Sequence, residues 1–356
     1  MQRAAPPRYF VNGPVDAFVI GGLSIAVFAL LRFVPGTAAT HAVTTIGPLL
    51  VWGISYPHFA STSYRLYGSR ANLRQYPMTA LLTPVIFGAA IVASFVSPNN
   101  IAPAFVKLFQ LWSPYHFSGQ TLGLTLLYAR RCGLDVDRQM RRVLTSFIYL
   151  TFVYSAARSE VGVDARRFLG VTYPSLDLPS WIPTMLAAAI WMSAVALATL
   201  LLRRHRAGLA GVPLIVLLPS LTQCVWFATA PIPTYFGLVF FFHSLQYLFV
   251  SWNLQLRISL DASPAGPSRG FVIRKSARWM AFNVAGGYLF FWFLPRVASH
   301  FGRPQAFATA IVLVAIQTHH FFVDGVIWRL RSAGLQSPLS SSLGELTGRA
   351  PAVVAP

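Results

Sequence analysis

Long apolar stretches separated by short polar segments run through almost the whole chain. Ten of these stretches approach the 20 or so residues that an α-helix needs to cross about 30 Å of hydrocarbon. They cover residues 16–35, 41–64, 76–97, 103–129, 141–158, 181–202, 209–230, 233–256, 278–298 and 304–328, and the fifth is the shortest. The pattern predicts an all-α fold, a polytopic transmembrane bundle of about ten helices.

The connecting segments leave no room for a separate soluble domain. We therefore expect residues 1–336 to form a single integral-membrane domain. The longest segment on the predicted outer side, 159–180, carries Pro174 and Pro179 and is expected to lie along the membrane interface. Residues 337–356 are rich in Ser, Pro and Ala and are expected to form a disordered tail.

Charge is scarce and strongly one-sided. The composition is 55% hydrophobic and 10% charged, with 28 Lys and Arg against 9 Asp and Glu. In a soluble protein this excess would suggest a nucleic-acid partner. Here, with the N-terminus placed in the cytoplasm, 21 of the basic residues fall on the cytoplasmic side of the spans, six on the other side, and Lys107 just inside the fourth span. This bias predicts cytoplasmic termini, a location in the inner (cytoplasmic) membrane, lipid partners and no nucleic acid.

Common catalytic motifs are missing from the sequence. It contains no Walker motif, no Gly-rich dinucleotide turn and no Ser-centred nucleophile elbow. The only two cysteines, Cys132 and Cys224, exclude a disulfide scaffold and a Cys-based zinc or iron–sulfur site. Candidate chemistry therefore depends on the polar residues inside the spans, which are costly in hydrocarbon and are functional candidates by default.

Five of the eight histidines fall inside predicted spans: His58, His116, His243, His319 and His320. They lie on the second, fourth, eighth and tenth spans, which all run from outside to inside. Each span's histidine precedes a cytoplasmic arginine by 7 to 14 residues, which corresponds to about 10–21 Å of helix. The four positions thus share a similar depth, and we predict that they ligate a metal ion. Of the adjacent pair, which points about 100° apart on a helix, His320 is favoured as the ligand.

Polar residues near these histidines fit supporting roles. Asp324 follows His320 by four residues and is the only carboxylate well inside a span, so it is a candidate to orient a ligand or to bind the metal. Tyr115 and Tyr247, and Tyr56 beside His58, are candidate proton or hydrogen-bond donors. Ligating histidines usually donate their second ring N–H to a neighbour. Three amides at helical spacing are predicted for that role: Gln120, Gln246 and Gln317.

A histidine-dominated site without thiolates suits iron, copper or zinc. A zinc hydrolase would also need a general base, for which Asp324 is the sole candidate. Redox chemistry on a lipid or isoprenoid substrate asks only for imidazole ligands, an open position for O₂ and a dry channel. Our leading hypothesis is therefore a membrane-embedded, histidine-ligated metal oxidoreductase that acts on such a substrate. Glycines at 119, 123, 286 and 287 would allow close helix approach or an opening for the substrate.

Other functions remain open at this point. The histidines are also compatible with a haem-binding electron carrier, with a transporter of ions or small solutes, or with a scaffold in which they link helices. Transport ranks below oxidation because the outer halves of the spans hold few ionisable groups.

A chain that carries several histidines on separate spans, with little mass outside the membrane, resembles the bacterial β-carotene-cleaving dioxygenases related to the Brp/Blh proteins. The similarity covers the architecture and the set His58, His116, His243 and His320. It implies a polytopic helical fold and a non-haem iron held by histidines. The HxxxH and HxxHH boxes of membrane fatty-acid desaturases do not occur, which argues against that neighbouring family.

Overall fold

The computed structural model describes residues 9–34, 37–229, 232–261 and 268–328. The predicted tail 337–356 and both chain ends lie outside the described residues. Within the described ranges the chain forms eleven continuous helices and one two-stranded antiparallel sheet. The all-α class is therefore confirmed.

The helices follow one another with short connections. In chain order they are α1 (Gly13–Phe33), α2 (37–67), α3 (Arg70–Gln75), α4 (Pro77–Val96), α5 (Ile101–Arg131), α6 (Arg138–Ser159), α7 (Trp181–Arg206), α8 (Leu214–Phe227), α9 (Pro233–Asp261), α10 (269–299) and α11 (Gln305–Ile327). Each of the ten predicted apolar stretches coincides with one of them, and α3 is an additional short helix. Helix length does not follow stretch length, because the fifth and shortest stretch corresponds to α6, with 22 residues, whereas α8, which begins after Pro213, has 14.

Five of the described helices are long and apolar enough to cross a membrane: α1, α4, α7, α9 and α11. The helix α7 is the most exposed of these, since only 6% of the residues in its most apolar part are buried. It presents large side chains such as Trp191 and Met192 outwards. The long helices α2 and α5 are not among these five, and both carry polar residues at buried positions, among them His58 and Ser118. Several apolar helices of this kind are typical of a membrane protein.

A π-helical turn at Val51–Ser55 leads directly into Pro57 on α2. Single π turns inside α-helices are frequent at functional sites, and here the turn precedes a residue that has no N–H to continue the ladder. Gly286 and Gly287 of α10 pack directly on this part of α2, since a Cβ at Gly286 would lie 2.7 Å from the Cβ of Ala60. The predicted close helix approach at these two glycines is confirmed.

The segment 159–180 forms a β-hairpin, with β1 (Ala165–Phe168) paired to β2 (Val171–Pro174). Its two-residue turn, Leu169 and Gly170, has positive φ angles of 44° and 88°, as the tight primed turns require. Phe168 packs against Phe109 of α5 with ring centroids 5.7 Å apart. The segment therefore packs against α5, and its expected position along the membrane interface stays a prediction.

Four helices surround the centre of the bundle, and each carries at least one buried or half-buried histidine: α2, α5, α9 and α11. The apolar side chains around them form the largest buried cluster, which includes Phe59, Phe109 and Phe321. The polar residues of the predicted site thus lie inside the best-packed part of the described structure.

Candidate metal centre

Four histidines from four different helices converge on one point. His58, His116, His243 and His320 each offer a ring nitrogen, and these four atoms all lie within 4.8 Å of one another. His58, His243 and His320 are at most 1% exposed. Since the four residues are far apart in sequence, only the packing of α2, α5, α9 and α11 brings them together.

The spacing of the nitrogens suits a single metal ion. Two ligand nitrogens bound at about 2.0–2.1 Å to one ion lie about 3–4 Å apart. The Nε2 atoms of His116 and His320 are 3.2 Å apart. The ring centroids of neighbouring histidines around the centre are separated by 4.3 to 5.2 Å. Small movements of the side chains would bring all four nitrogens to bonding distance.

The tautomer of His58 follows from its hydrogen bonds. The Ser244 hydroxyl donates its only hydrogen to the backbone carbonyl of Phe240, at 2.8 Å. The same oxygen lies 3.2 Å from His58 Nδ1, so in this contact Nδ1 must donate. The lone pair of His58 is therefore on Nε2, which is the ring nitrogen left free for a ligand.

His320 is oriented in the same way. The Thr62 hydroxyl donates to Asp324 Oδ1 at 3.0 Å and lies 2.8 Å from His320 Nδ1, which therefore donates to it. This places the lone pair of His320 on Nε2, facing the other imidazoles. The Tyr247 hydroxyl lies 2.5 Å from that of Thr62 and 3.1 Å from Asp324 Oδ1, and it shares its single hydrogen between these two acceptors. Outward N–H groups held by polar partners are typical of histidines that bind metals.

Three buried ring nitrogens at the centre have no hydrogen-bond partner among the described residues: His58 Nε2, His243 Nδ1 and His243 Nε2. In addition, Asp324 Oδ2 lies 3.4 Å from His320 Nε2, so an acceptor oxygen faces a lone pair. A buried polar atom without a partner costs about 1–3 kcal/mol. A cation between these atoms would accept the lone pairs of His58 Nε2 and of one His243 nitrogen and would pair with Asp324 Oδ2, so the residues present fit a metal ion.

Aromatic rings enclose the imidazoles. Phe117 stacks on His243 with centroids 3.9 Å apart, and Phe321 stacks on His116 at 4.5 Å. Phe59 contacts both His58 and His320 at 4.3 and 4.8 Å. These contacts restrict the rotamers of the histidines and exclude water from the centre, which is the support that a preorganised ligand set requires.

A cavity of about 340 Å³ adjoins the four-histidine centre. Its polar wall is made by His116, Tyr247 and Asp324, and its apolar wall includes Leu124 and Val250. The volume lies within the range of about 300–1,000 Å³ for small-molecule sites, which are mostly apolar with a few polar groups. Gly119 and Gly123, expected to leave an opening, also line this cavity.

Two of the residues predicted for the site lie away from the imidazoles. The ring of His319 points to the other side of α11, where its Nε2 is 3.1 Å from the Tyr67 hydroxyl, and His319 is not part of the group of four. The reason is the 100° step between adjacent helix positions, which lets only His320 face the centre. Tyr115 is 49% exposed and packs against Tyr149 at the far wall of the cavity.

Within the described part of the chain, none of the three glutamines bonds an imidazole. Gln120 donates to the backbone carbonyl of His243 at 2.9 Å, and Gln246 donates to the carbonyl of Ile20 at 2.5 Å. Gln317 lines a second cavity on the hairpin side of the bundle. The side chains of Gln120 and Gln246 reach carbonyl groups on neighbouring helices, and His58 and His320 bond the shorter hydroxyl side chains of Ser244 and Thr62 instead.

Sequence reasoning missed three residues of the site, namely Thr62, Ser244 and Trp328. Thr62 follows His58 by four residues on the same helix face, and Ser244 directly follows His243, so a search for hydroxyls as well as amides would have found them. Trp328, at the end of α11, donates a hydrogen bond of 3.1 Å to the Tyr247 hydroxyl, and no sequence pattern indicates this contact.

In comparisons with known proteins, no family model, no curated protein and no solved structure matches the chain.

Proposed function

We propose that this protein is a membrane-embedded, metal-dependent oxidoreductase that acts on an apolar substrate of the lipid or isoprenoid class. The observation that carries the proposal is the convergence of four imidazoles around a point where three buried ring nitrogens have no partner among the described residues. Iron is the expected metal, with copper next, because both bind imidazole and support redox chemistry. A bound ion of this kind would supply the activation of O₂.

The chain's own residues have distinct roles in this proposal. His58, His116, His243 and His320 hold the ion, and Thr62 and Ser244 fix the tautomers of two of them. The Tyr247 hydroxyl lies at the cavity wall between Thr62 and Asp324, where it holds a proton within reach of a bound substrate. The cavity keeps the substrate in apolar surroundings and exposes it to only one side of the centre.

Hydrolysis is less well supported by the same geometry. A general base needs a free lone pair directed at the cavity. Asp324 Oδ1 already accepts hydrogen bonds from Thr62 and Tyr247, and Oδ2 faces His320. A bare ion is also favoured over haem, because four imidazoles surround one point, whereas a haem iron takes axial ligands on its two faces only.

Metal analysis of the purified protein tests the proposal. Wild-type protein, purified without chelators, is expected to contain about one metal ion per chain, as one four-ligand site would hold. His58→Ala and His243→Ala should lose most of it, while His319→Ala, a matched control on the histidine next to the site, should retain it. Wild-type protein without metal, or equal loss in the control, would overturn the proposal. An absorption spectrum with a Soret band would identify haem instead.

Ten membrane spans, cytoplasmic termini and an inner-membrane location are part of the proposal. The asymmetry of basic residues supports them, as does the helix found at each predicted span. Cysteine labelling of intact cells tests the orientation. Thr172→Cys in the hairpin should react with an impermeant maleimide from outside, and Asp135→Cys between α5 and α6 only after permeabilisation. Both positions are exposed, so the reverse result would invert the topology.

A further inference from the structure

A second cavity, of about 600 Å³, lies on the hairpin side of the bundle. Helices α5, α6, α9 and α11 and the β-hairpin contribute its walls. Its volume is within the range of about 300–1,000 Å³ for ligand sites. It is separate from the cavity that contains His116 and Asp324, so the proposed catalytic role does not account for it.

The inner end of this cavity reaches the histidine centre through a single layer of aromatic rings. Phe117 lines the cavity and stacks on His243 at 3.9 Å. Phe240 also lines the cavity, and its ring centroid is 6.4 Å from that of His58. Rotation of either phenylalanine would connect the cavity to the four imidazoles.

The hairpin end of the cavity is positively charged. Arg166 and Arg167 of β1 both line it. The Nε atom of Arg166 is buried and has no hydrogen-bond partner among the described residues. A guanidinium donor that is left without an acceptor in such a place is suited to a carboxylate or phosphate, which accepts two of its N–H groups in parallel.

The one acidic residue of this cavity, Glu160, is already compensated. It forms an ion pair with Lys107 and accepts hydrogen bonds from the backbone N–H of Leu176 and the hydroxyl of Ser175. Burial raises the pKa of Glu160, but these hydrogen bonds outweigh it and hold the pKa below its usual value. Glu160 therefore stays ionised and paired with Lys107, which leaves the two arginines as the net charge facing the cavity.

We propose that this cavity binds an amphiphile with an anionic head group, a carboxylate or phosphate, and a long apolar chain. Arg166 and Arg167 hold the head group, and the chain extends between α5 and α9 towards Phe117 and Phe240. Binding requires only this cavity, whereas the further role of delivering the chain end to the histidines rests on the proposed function. A wholly apolar ligand would leave the buried Nε of Arg166 without a hydrogen-bond acceptor.

Photo-crosslinking tests this inference. The protein, in nanodiscs of zwitterionic phosphatidylcholine and stripped of metal with a chelator, is irradiated with hexadecanoate that carries a diazirine near its methyl end. We expect the label on residues around Phe117 and Phe240. The double variant R166A/R167A should lower labelling about tenfold or more, because hydrogen bonds to a charged group are lost. Arg32→Ala, an exposed arginine away from the cavity, should leave labelling unchanged.

Competitors identify the head group. Unlabelled hexadecanoate or hexadecyl phosphate should suppress labelling, and their relative strengths distinguish a carboxylate from a phosphate ligand, whereas hexadecanol should not compete. Ala156→Phe, which fills the cavity without altering its charge, should also suppress it. Equal competition by the alcohol, or unchanged labelling in the double variant, would overturn the inference. Because the protein is free of metal in this assay, a failure here is distinct from a failure of the metal analysis.

Discussion

Replacing His243 by phenylalanine is expected to raise the stability of the metal-free protein and to lower that of the metal-loaded protein. Both ring nitrogens of His243 are buried without a partner among the described residues, and the ring stacks on Phe117 with an interplanar angle of 19°. A phenyl ring keeps this stacking and removes both unsatisfied atoms. It also removes a metal ligand, so the sign of the effect depends on the metal.

The magnitudes follow from the two contributions. Two unsatisfied nitrogens cost about 2–6 kcal/mol together, and the larger ring adds about 1–3 kcal/mol of overpacking. With the middle of each range, about 4 against about 2 kcal/mol, the metal-free variant should be more stable than wild type by about 2 kcal/mol. Metal at a thousandfold excess over its dissociation constant stabilises wild type by about 4 kcal/mol. The variant keeps three imidazoles and binds more weakly, so the order of stability reverses.

The assay is thermal unfolding in nanodiscs, followed by tryptophan fluorescence, with chelator and then with added ferrous iron. The unfolding midpoint of the variant should exceed that of wild type in chelator and fall below it with iron. His41→Phe, at an exposed position of α2, serves as the matched control and should show no such reversal. A variant destabilised equally under both conditions would refute the reasoning, since His243 would then contribute packing only.

Three further results are expected. Thr62→Val should weaken metal binding about 10- to 100-fold while Thr62→Ser retains it, because the hydroxyl orients a ligand; equal titration curves for both would contradict this role. Gly286→Ala should lower the unfolding midpoint by the equivalent of about 1–3 kcal/mol, because the new Cβ would lie 2.7 Å from the Cβ of Ala60 on α2. Gly88→Ala should leave the midpoint unchanged, because a Cβ at Gly88 would have no atom within 4 Å. The Lys107–Glu160 pair holds the folded-state pKa of Glu160 below its ordinary 4.5. The pair should therefore stabilise the fold fully above pH 4.5, and this stabilisation should be lost as the pH falls further. Glu160→Gln should remove this part of the dependence of stability on pH, and an unchanged dependence would argue against the pair.

The sequence was sufficient to predict positions along the helix axes. Helix rise is fixed at about 1.5 Å per residue, so the number of residues between each histidine and the arginine that follows it gives its position along the helix directly. This is why His58, His116, His243 and His320, on four separate helices, could be grouped before any contact was known. The apolar stretches predicted the helices for the same reason, within a few residues at each end.

Rotation about each helix axis and the reach of side chains were not predictable in the same way. Gln120 and Gln246 have the correct spacing to their histidines, yet both bond backbone carbonyls, because the partner depends on which neighbouring helix lies opposite. The contact between Thr62 of α2 and His320 of α11 joins residues 258 positions apart. The hairpin depends on the turn at Leu169 and Gly170, and Leu is not a residue that indicates such a turn.

Histidines that merely join helices should satisfy their ring nitrogens with polar groups of the neighbouring helices. Such groups are present here. Ser244 follows His243 directly, and the amide of Gln120 lies 2.9 Å from the backbone carbonyl of His243, yet neither bonds the ring. The hydroxyls bond only the outward nitrogens of His58 and His320, and the inward lone pairs are left together at the centre. Polar partners lie within reach, yet His58 Nε2 and both ring nitrogens of His243 have no hydrogen bond among the described residues, and the Nε2 atoms of His116 and His320 lie 3.2 Å from each other. This arrangement is expected of residues that bind a cation, and it favours a metal centre over helix-joining contacts.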